Sequence, residues 1–439
     1  MTRIAIVGGG PAGYESALVA AGLGAEVTVI DRDGLGGACV LTDCVPSKTL
    51  IAAASRANRP GLGVVNAQVL DLAHQQSADI AAKLAAAGVT VLAGSGRFTT
   101  DQPPRGHRLE VVETGEKVVA DVVLLATGGT PRVLGTAVPD GERILSWRHV
   151  YSLEEDPEHL IVIGSGVTGA EFASAYTEMG VPTTLVSSRD RVLPGEDPDA
   201  ADVIEKVFTE RGGTLVKQAR AAGVRREGSK VFVDLTDGRV VEGSHALMCV
   251  GSVPNTSGLG LEHVGVTLDD HGYVAVDRVS RTSVPSIYAA GDVTGVLLLA
   301  SVAGMQGRIA MWHALGEAVA PLRLKTVAAN VFTHPEIATV GIAAENARTV
   351  MLPLATNARA KMQGETEGFV KVYCRPATGA VIGAVVVAPD ASELIFPLAM
   401  AVQHGLTVND VAGTIGVYPS LSGSVAEAAR QLMGHDDLD

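Results

Sequence analysis

Apolar residues gather in short unbroken runs, each followed by small residues. Ile4 to Val7 is the first run, and Gly8-Gly9-Gly10-Pro11-Ala12-Gly13 follows it. A run of this kind predicts a parallel strand buried on both faces, and the alanine-rich stretch to about Leu23 predicts a helix packed on it. A second strand, Glu26 to Ile30, ends in Asp31. The same order returns at Leu160 to Ile163, Gly164-Ser165-Gly166-Val167-Thr168-Gly169, a helix to about Met179, and the strand Thr183 to Val186. The chain therefore contains an internal repeat of strand, glycine loop, helix and strand. Two further apolar strands end in glycine: Val122 to Leu125 runs into Ala126-Thr127-Gly128, and Ser286 to Ala290 into Gly291-Asp292. The pattern predicts an α/β fold with two Rossmann-like nucleotide-binding domains.

Each glycine of such a loop has a separate task. Gly8 permits the tight turn, Gly10 lets backbone approach a pyrophosphate, and Gly13 lets the helix pack on its strand with its positive end at the phosphates. Asp31 falls where a ribose-binding carboxylate belongs. Gly164, Gly166 and Gly169 repeat the loop, but the same spacing from Gly164 lands on Ser187. A carboxylate there would repel a 2′-phosphate, whereas Ser187-Ser188-Arg189 removes that repulsion and offers donors and one cation. Arg189 is alternatively a solvated turn residue. Asp292 could hold a ribityl hydroxyl or cap the next helix.

Composition narrows the class. With 439 residues, 47% of them apolar, the chain has material for two or three domains. Gly 51 against 4% aromatics fits an α/β enzyme with close backbone approaches better than a base-stacking platform. A net charge of -14 argues against nucleic acid as a partner. No signal-peptide pattern opens the sequence, and no run reaches the roughly 18 apolar residues of a spanning helix. A cytoplasmic protein with reduced cysteines is expected. Cys249 and Cys374 sit in apolar strand-like runs and read as buried thiols. No metal ligands are assigned.

Cys39 and Cys44 belong to Gly36-Gly37-Ala38-Cys39-Val40-Leu41-Thr42-Asp43-Cys44-Val45-Pro46-Ser47-Lys48. With this string in place between the two cradles, the chain resembles the pyridine nucleotide-disulfide oxidoreductases over nearly its whole length. The resemblance implies an FAD-binding domain at 1–152, an NAD(P)-binding domain at 153–282, a second FAD-binding part at 283–325, and an α+β dimerisation domain from 326 to 439. It implies FAD, NADH or NADPH as cofactors, and a homodimer. Cys44 would face the flavin and Cys39 would be the exchanging thiol. Lys48, paired with Glu171 from the second cradle's helix, would place a cation where reduced flavin gathers negative charge. Lys48 is alternatively a plain surface residue of its helix. Pro11, Ala12, Gly37, Gly96, Gly251, Leu299 and Ala300 would add to the nucleotide contacts.

The chain also departs from that family. Its disulfide-reducing members carry His-Pro-Thr-x-x-Glu near the C-terminus, a base supplied to the partner subunit. Here the stretch is Val417-Tyr418-Pro419-Ser420-Leu421-Ser422-Gly423. A phenol with a pKa near 10 is a poor base, and Gly423 cannot orient it. Asp43 stands where disulfide reductases have glycine, and a carboxylate beside Cys44 raises a thiol's pKa. Gly251-Ser252-Val253-Pro254-Asn255 lacks the family's usual arginine. Two stretches are short for the family, around Ala57 to Gly63 and around Ala343 to Arg348; at the second a helix is expected and too few residues remain, so either these loops are contracted or residues are missing from the sequence. These features resemble an actinobacterial branch of NAD(P)H:quinone reductases, implying a small-molecule quinone as acceptor. A disulfide reductase using Cys39 and Cys44 with another proton source, and a soluble transhydrogenase, are the alternatives. An FAD-binding structural subunit is disfavoured by the intact Lys48 and Glu171.

Overall fold

In the computed structural model, which describes residues 1–56 and 58–433, Arg3–Val7 forms the centre of a five-stranded sheet. Glu26–Asp31 and Val122–Leu125 flank it, and Thr90–Ala93 and Ile287–Ala289 form the edges. All four pairings are parallel, which requires cover on both faces and explains the unbroken apolar runs. The first loop's helix, Pro11–Gly22, packs on helix Ala300–Ala314. A Cβ at Gly307 would lie 2.4 Å from the Ala12 carbonyl oxygen, so only glycine allows this approach.

Leu160–Ile163 centres a second parallel sheet, between Thr183–Val186 and His245–Met248, with Thr214–Val216 and Ile144–Ser146 outermost. Two boundaries thereby differ from the expected 152/153 and 282/283. Ile144–Ser146 pairs with the second sheet and so leaves the first unit earlier. Leu259, Leu261, Val266 and Val274 pack with Val7, Phe98 and Ile287, so the chain rejoins the first unit well before residue 282. Hydrophobic burial decides both; glycine motifs mark where a nucleotide goes, not where a core ends.

The C-terminal part is a five-stranded antiparallel sheet ordered Ala328–Val331, Glu336–Gly341, Val381–Ala388, Phe369–Cys374 and Arg348–Pro353. Helices Phe396–His404 and Gly423–Gln431 cover it. Residues 342–347 hold no helix; of the other short stretch, Ala57 lies outside the described residues. One apolar cluster joins Leu50, Tyr151, Phe172 and Tyr176 to Phe369 and Val385, tying this sheet to the rest. A polar lock reinforces it. Lys371 lies 2.8 Å from both carboxylate oxygens of Asp197, which also accepts the amides of Asp199 and Ala200 and so caps helix Pro198–Glu210. No helix among the described residues is long and apolar enough to cross a membrane.

Candidate active site

The two glycine loops are built alike. Gly8 has φ +106° and a Cβ there would meet the Ala126 carbonyl oxygen at 2.2 Å; a Cβ at Gly13 would meet the Gly8 oxygen at 1.9 Å. In the second loop the corresponding distances are 2.1 Å for Gly164 and 1.8 Å for Gly169. These glycines serve the protein's own packing. The middle ones do not: a Cβ at Gly10 meets only the Gly37 Cα at 4.0 Å, and one at Gly166 meets nothing within 4 Å. Their φ values, -67° and -72°, suit any residue. Each loop therefore leaves one open place, on the side a ligand would approach.

Gly10, Pro11 and Ala12 open into a cleft of about 310 Å³ that reaches from Asp31 to Cys39 and Cys44. Gly8, Gly37, Ala126, Thr127, Gly128, Gly291, Asp292 and Ala300 are on its walls. Asp31 accepts the amides of Gly9 at 2.6 Å and Gly34 at 2.5 Å, fixing the loop. Burial pushes its pKa up while these amides pull it down. Asp292 is pushed up to about 6, first by burial and then by Asp43. A volume in the range of ligand sites, glycine backbone at one end and a dithiol at the other fit an elongated dinucleotide.

Cys39, in helix Gly37–Leu41, and Cys44, opening helix Cys44–Ala54, are both free thiols. Their mutual hydrogen bond lowers the pKa of Cys39; the same bond, then burial, raises that of Cys44. One turn on, Lys48 Nζ lies 2.8 Å from Glu171. Burial opposes the Lys48 ammonium, yet Glu171 holds its pKa above the usual value. Glu171 is 3% exposed and also accepts the Phe332 amide at 2.9 Å. Its own pKa is raised by burial, against the pull of Lys48. The Phe332 ring sits 5.0 Å from the ammonium.

Not every expected residue joins the cleft. Gly96 turns towards Val7 and Ile30 within the sheet, and Leu299 heads helix Ala300–Ala314 while Leu298 reaches the wall. Gly251 lies outside the cleft, its carbonyl accepting the Arg132 amide, and Ser252 and Asn255 line the wall instead. Gly166 and Val167 face solvent beside the half-buried Thr168. Ser187 corrects the sequence reading: it is 0% exposed, and its hydroxyl bonds to that of Ser165 at 2.7 Å and receives the Arg189 amide at 3.1 Å. It ties the loop down as Asp31 does in the first unit. The groups left exposed are Ser188 and Arg189. Tyr418 is 84% exposed on the C-terminal part, away from the cleft, with Gly423 nearby in a separate surface hollow. Cys249 and Cys374 are buried, as expected. Asp33, Trp147, Arg148 and Asn255 line the cleft without having been singled out as site residues, and Phe332 completes the Lys48 environment. Asn255 alone stood inside a recognised string; the others lie in no motif.

The fold and this cleft define a flavoprotein oxidoreductase, and the chain belongs to the pyridine nucleotide-disulphide oxidoreductases: the family model matches residues 2–307, and the family's dimerisation-domain model matches 327–429. Members of this family use FAD and NAD(P)H. Among individual proteins, the chain is 59% identical to a Mycobacterium tuberculosis protein named NAD(P)H dehydrogenase (quinone), over 100% of this chain and 95% of that one. The alignment spans 471 positions, more than this chain's own length. The crystal structure of LpdA from Mycobacterium tuberculosis superposes with a TM-score of 0.95 at 59% identity, covering 99% of this chain and 100% of that one. A dihydrolipoyl dehydrogenase from Haloferax volcanii is 33% identical over 99% of this chain and 96% of its own.

Proposed function

We propose that this protein oxidises NAD(P)H through bound FAD and delivers two electrons to a quinone-type acceptor, without disulfide exchange. The observation that carries this reading is that the histidine–glutamate pair the disulfide reductases use as base for the dithiol is replaced in this chain. Where the disulfide reductases present histidine and glutamate, this chain presents an exposed Tyr418 and Gly423. The names of the Mycobacterium tuberculosis relatives support it. FAD, when bound, accepts hydride and releases electrons. The chain's own residues hold it. Gly10, Pro11 and Ala12 receive the pyrophosphate, Asp31 a ribose hydroxyl and Asp292 the ribityl chain, with backbone from Gly37 and Ala126 to Gly128 along its length. Lys48, fixed by Glu171, would place its cation where a bound flavin gathers negative charge. Gly166, in the loop that Gly164 and Gly169 hold tight, would receive the nicotinamide dinucleotide's pyrophosphate, and the exposed Ser188 and Arg189 would meet a 2′-phosphate. The protein works as a cytoplasmic homodimer through its C-terminal part, and its acidic surface keeps it off nucleic acid.

Disulfide reduction is the second reading, because Cys39 is held as the more acidic thiol. One experiment separates them. Cys39→Ser should leave NADPH-dependent menadione reduction nearly unchanged, and wild-type lipoamide reduction should run at least about 100-fold below that of relatives with the His-Glu pair. Brisk lipoamide or glutathione reduction, lost in Cys39→Ser, would refute the quinone reading.

A further inference from the structure

Asp43 precedes Cys44 and lines the same cleft as both thiols. It occupies the N-cap position of helix Cys44–Ala54, where an aspartate side chain ordinarily accepts an amide of the first turn. It makes no such bond. Nor, among the described residues, does its carboxyl find another hydrogen-bond partner; Lys48 and Arg148 act on it only as nearby charges. A partly buried carboxyl that leaves its helix uncapped and lines a cleft is placed where a ligand can use it, and such groups gather at functional sites.

The stoichiometry of the proposed reaction supplies a use. NAD(P)H gives up a hydride, which is two electrons and one proton. A quinone becoming a hydroquinone gains two electrons and two protons. The second proton comes from water and has to reach a quinone oxygen through an acid. In the disulfide reductases an imidazole handles protons at this face; here that position is Tyr418. We infer that Asp43 is the catalytic acid of this chain: its carboxyl O–H breaks as an O–H bond forms on the quinone oxygen, and water entering the cleft reprotonates the carboxylate. This inference rests on the quinone reading above.

The groups facing Asp43 bear on its pH behaviour. Lys48 and Arg148 are the cations, and Cys39, Cys44, Tyr151, Glu171 and Asp292 each respond to its charge. Burial raises the Asp43 pKa, with both cations opposing. A raised pKa keeps the acid form present to higher pH, so quinone reduction should fall as pH rises through it.

The test compares two acceptors on the FAD-loaded enzyme. Menadione takes protons with its electrons; ferricyanide takes single electrons and no proton. Asp43→Asn should slow NADPH–menadione turnover by about 100-fold and remove its alkaline fall. Ferricyanide turnover and flavin content should stay within about twofold, showing that the protein folds and that flavin reduction is intact. Asp43→Glu should recover part of the menadione rate. As a readout independent of turnover, an infrared pH titration should show a protonated-carboxyl band that persists to higher pH than that of an exposed aspartate and that Asp43→Asn lacks. Equal loss with both acceptors, unchanged menadione turnover in Asp43→Asn, or no difference in that band would each overturn the assignment. A wild type that reduces ferricyanide but no quinone would instead overturn the quinone reading, and the acid's role with it.

Discussion

Glycine-to-alanine exchange separates ligand space from packing space within a single loop. At Gly13 a methyl carbon would sit 1.9 Å from the Gly8 carbonyl oxygen, where ordinary contacts begin at 3.4 Å. The helix or the loop has to move more than an ångström, and overpacking of this order costs about 1–3 kcal/mol or more of stability. At Gly10 the same methyl meets only the Gly37 Cα at 4.0 Å, with φ at -67°, so stability should stay within about 0.5 kcal/mol. A ligand pyrophosphate drawn to that loop would meet the methyl directly. A clash of about 1–3 kcal/mol then weakens FAD binding by roughly 5- to 150-fold. The assay pairs thermal unfolding of the apoprotein with fluorescence titration of FAD. Gly10→Ala should melt like wild type and bind FAD poorly, whereas Gly13→Ala should melt early. Gly10→Ala binding FAD like wild type, or melting alongside Gly13→Ala, would refute the division of labour drawn between these glycines.

The second loop repeats the test with the other nucleotide: Gly166→Ala should raise the KM for NADPH by a comparable factor while FAD stays bound. Arg189→Glu should shift steady-state preference from NADPH towards NADH by on the order of tenfold, since it puts an anion where a 2′-phosphate would lie; an unchanged ratio would show Arg189 to be a turn residue only. Lys371→Met should cost about 1.5–3 kcal/mol in urea unfolding at neutral pH, because Lys371 and Asp197 are 8% and 10% exposed and Asp197 loses its charged partner while keeping the amides of the helix it caps. Burial works to raise the Asp197 pKa, but the hydrogen bond from Lys371 leaves it below the usual carboxylate value. Its contribution is therefore present above the unfolded pKa of about 3.9 and lost as pH falls through the folded one. The gap between wild type and Lys371→Met should narrow in acid, and a gap independent of pH would refute the ion-pair account.

What the sequence revealed were features whose physics is local. A parallel strand buried on both faces has to be apolar throughout, and a loop touching a pyrophosphate has to be glycine, so Arg3–Val7, Leu160–Ile163 and both loops were legible at once. Lys48 was legible because it lies in the cysteine string, and Glu171 came with it by resemblance. The misses share a cause: they depend on which distant segments meet. Ile144–Ser146 joins the second sheet through pairing with His245–Met248, about a hundred residues on. Trp147 and Arg148 reach the cleft as a consequence of that pairing, in a stretch with no motif of its own. Ser187 was placed correctly by counting, yet its buried hydroxyl bond to Ser165 depends on side-chain packing that spacing does not encode.

The dithiol shows how a recognised motif and its surroundings can point different ways. The cysteine string alone implies exchange chemistry, which needs a thiolate, an exchanging partner and a group to move the proton. The first of these is built in, since the hydrogen bond from Cys44 makes Cys39 the more acidic thiol. The second would depend on the acceptor. For the third, the chain offers a phenol at Tyr418 and no carboxylate at position 423. Asp43, when ionised, compounds the loss, because its charge works against a thiolate at either cysteine. The change at position 43 thus acts in both directions. It disfavours the thiolate that disulfide exchange requires, and it places a carboxyl in the cleft suited to an acceptor that takes up protons with its electrons.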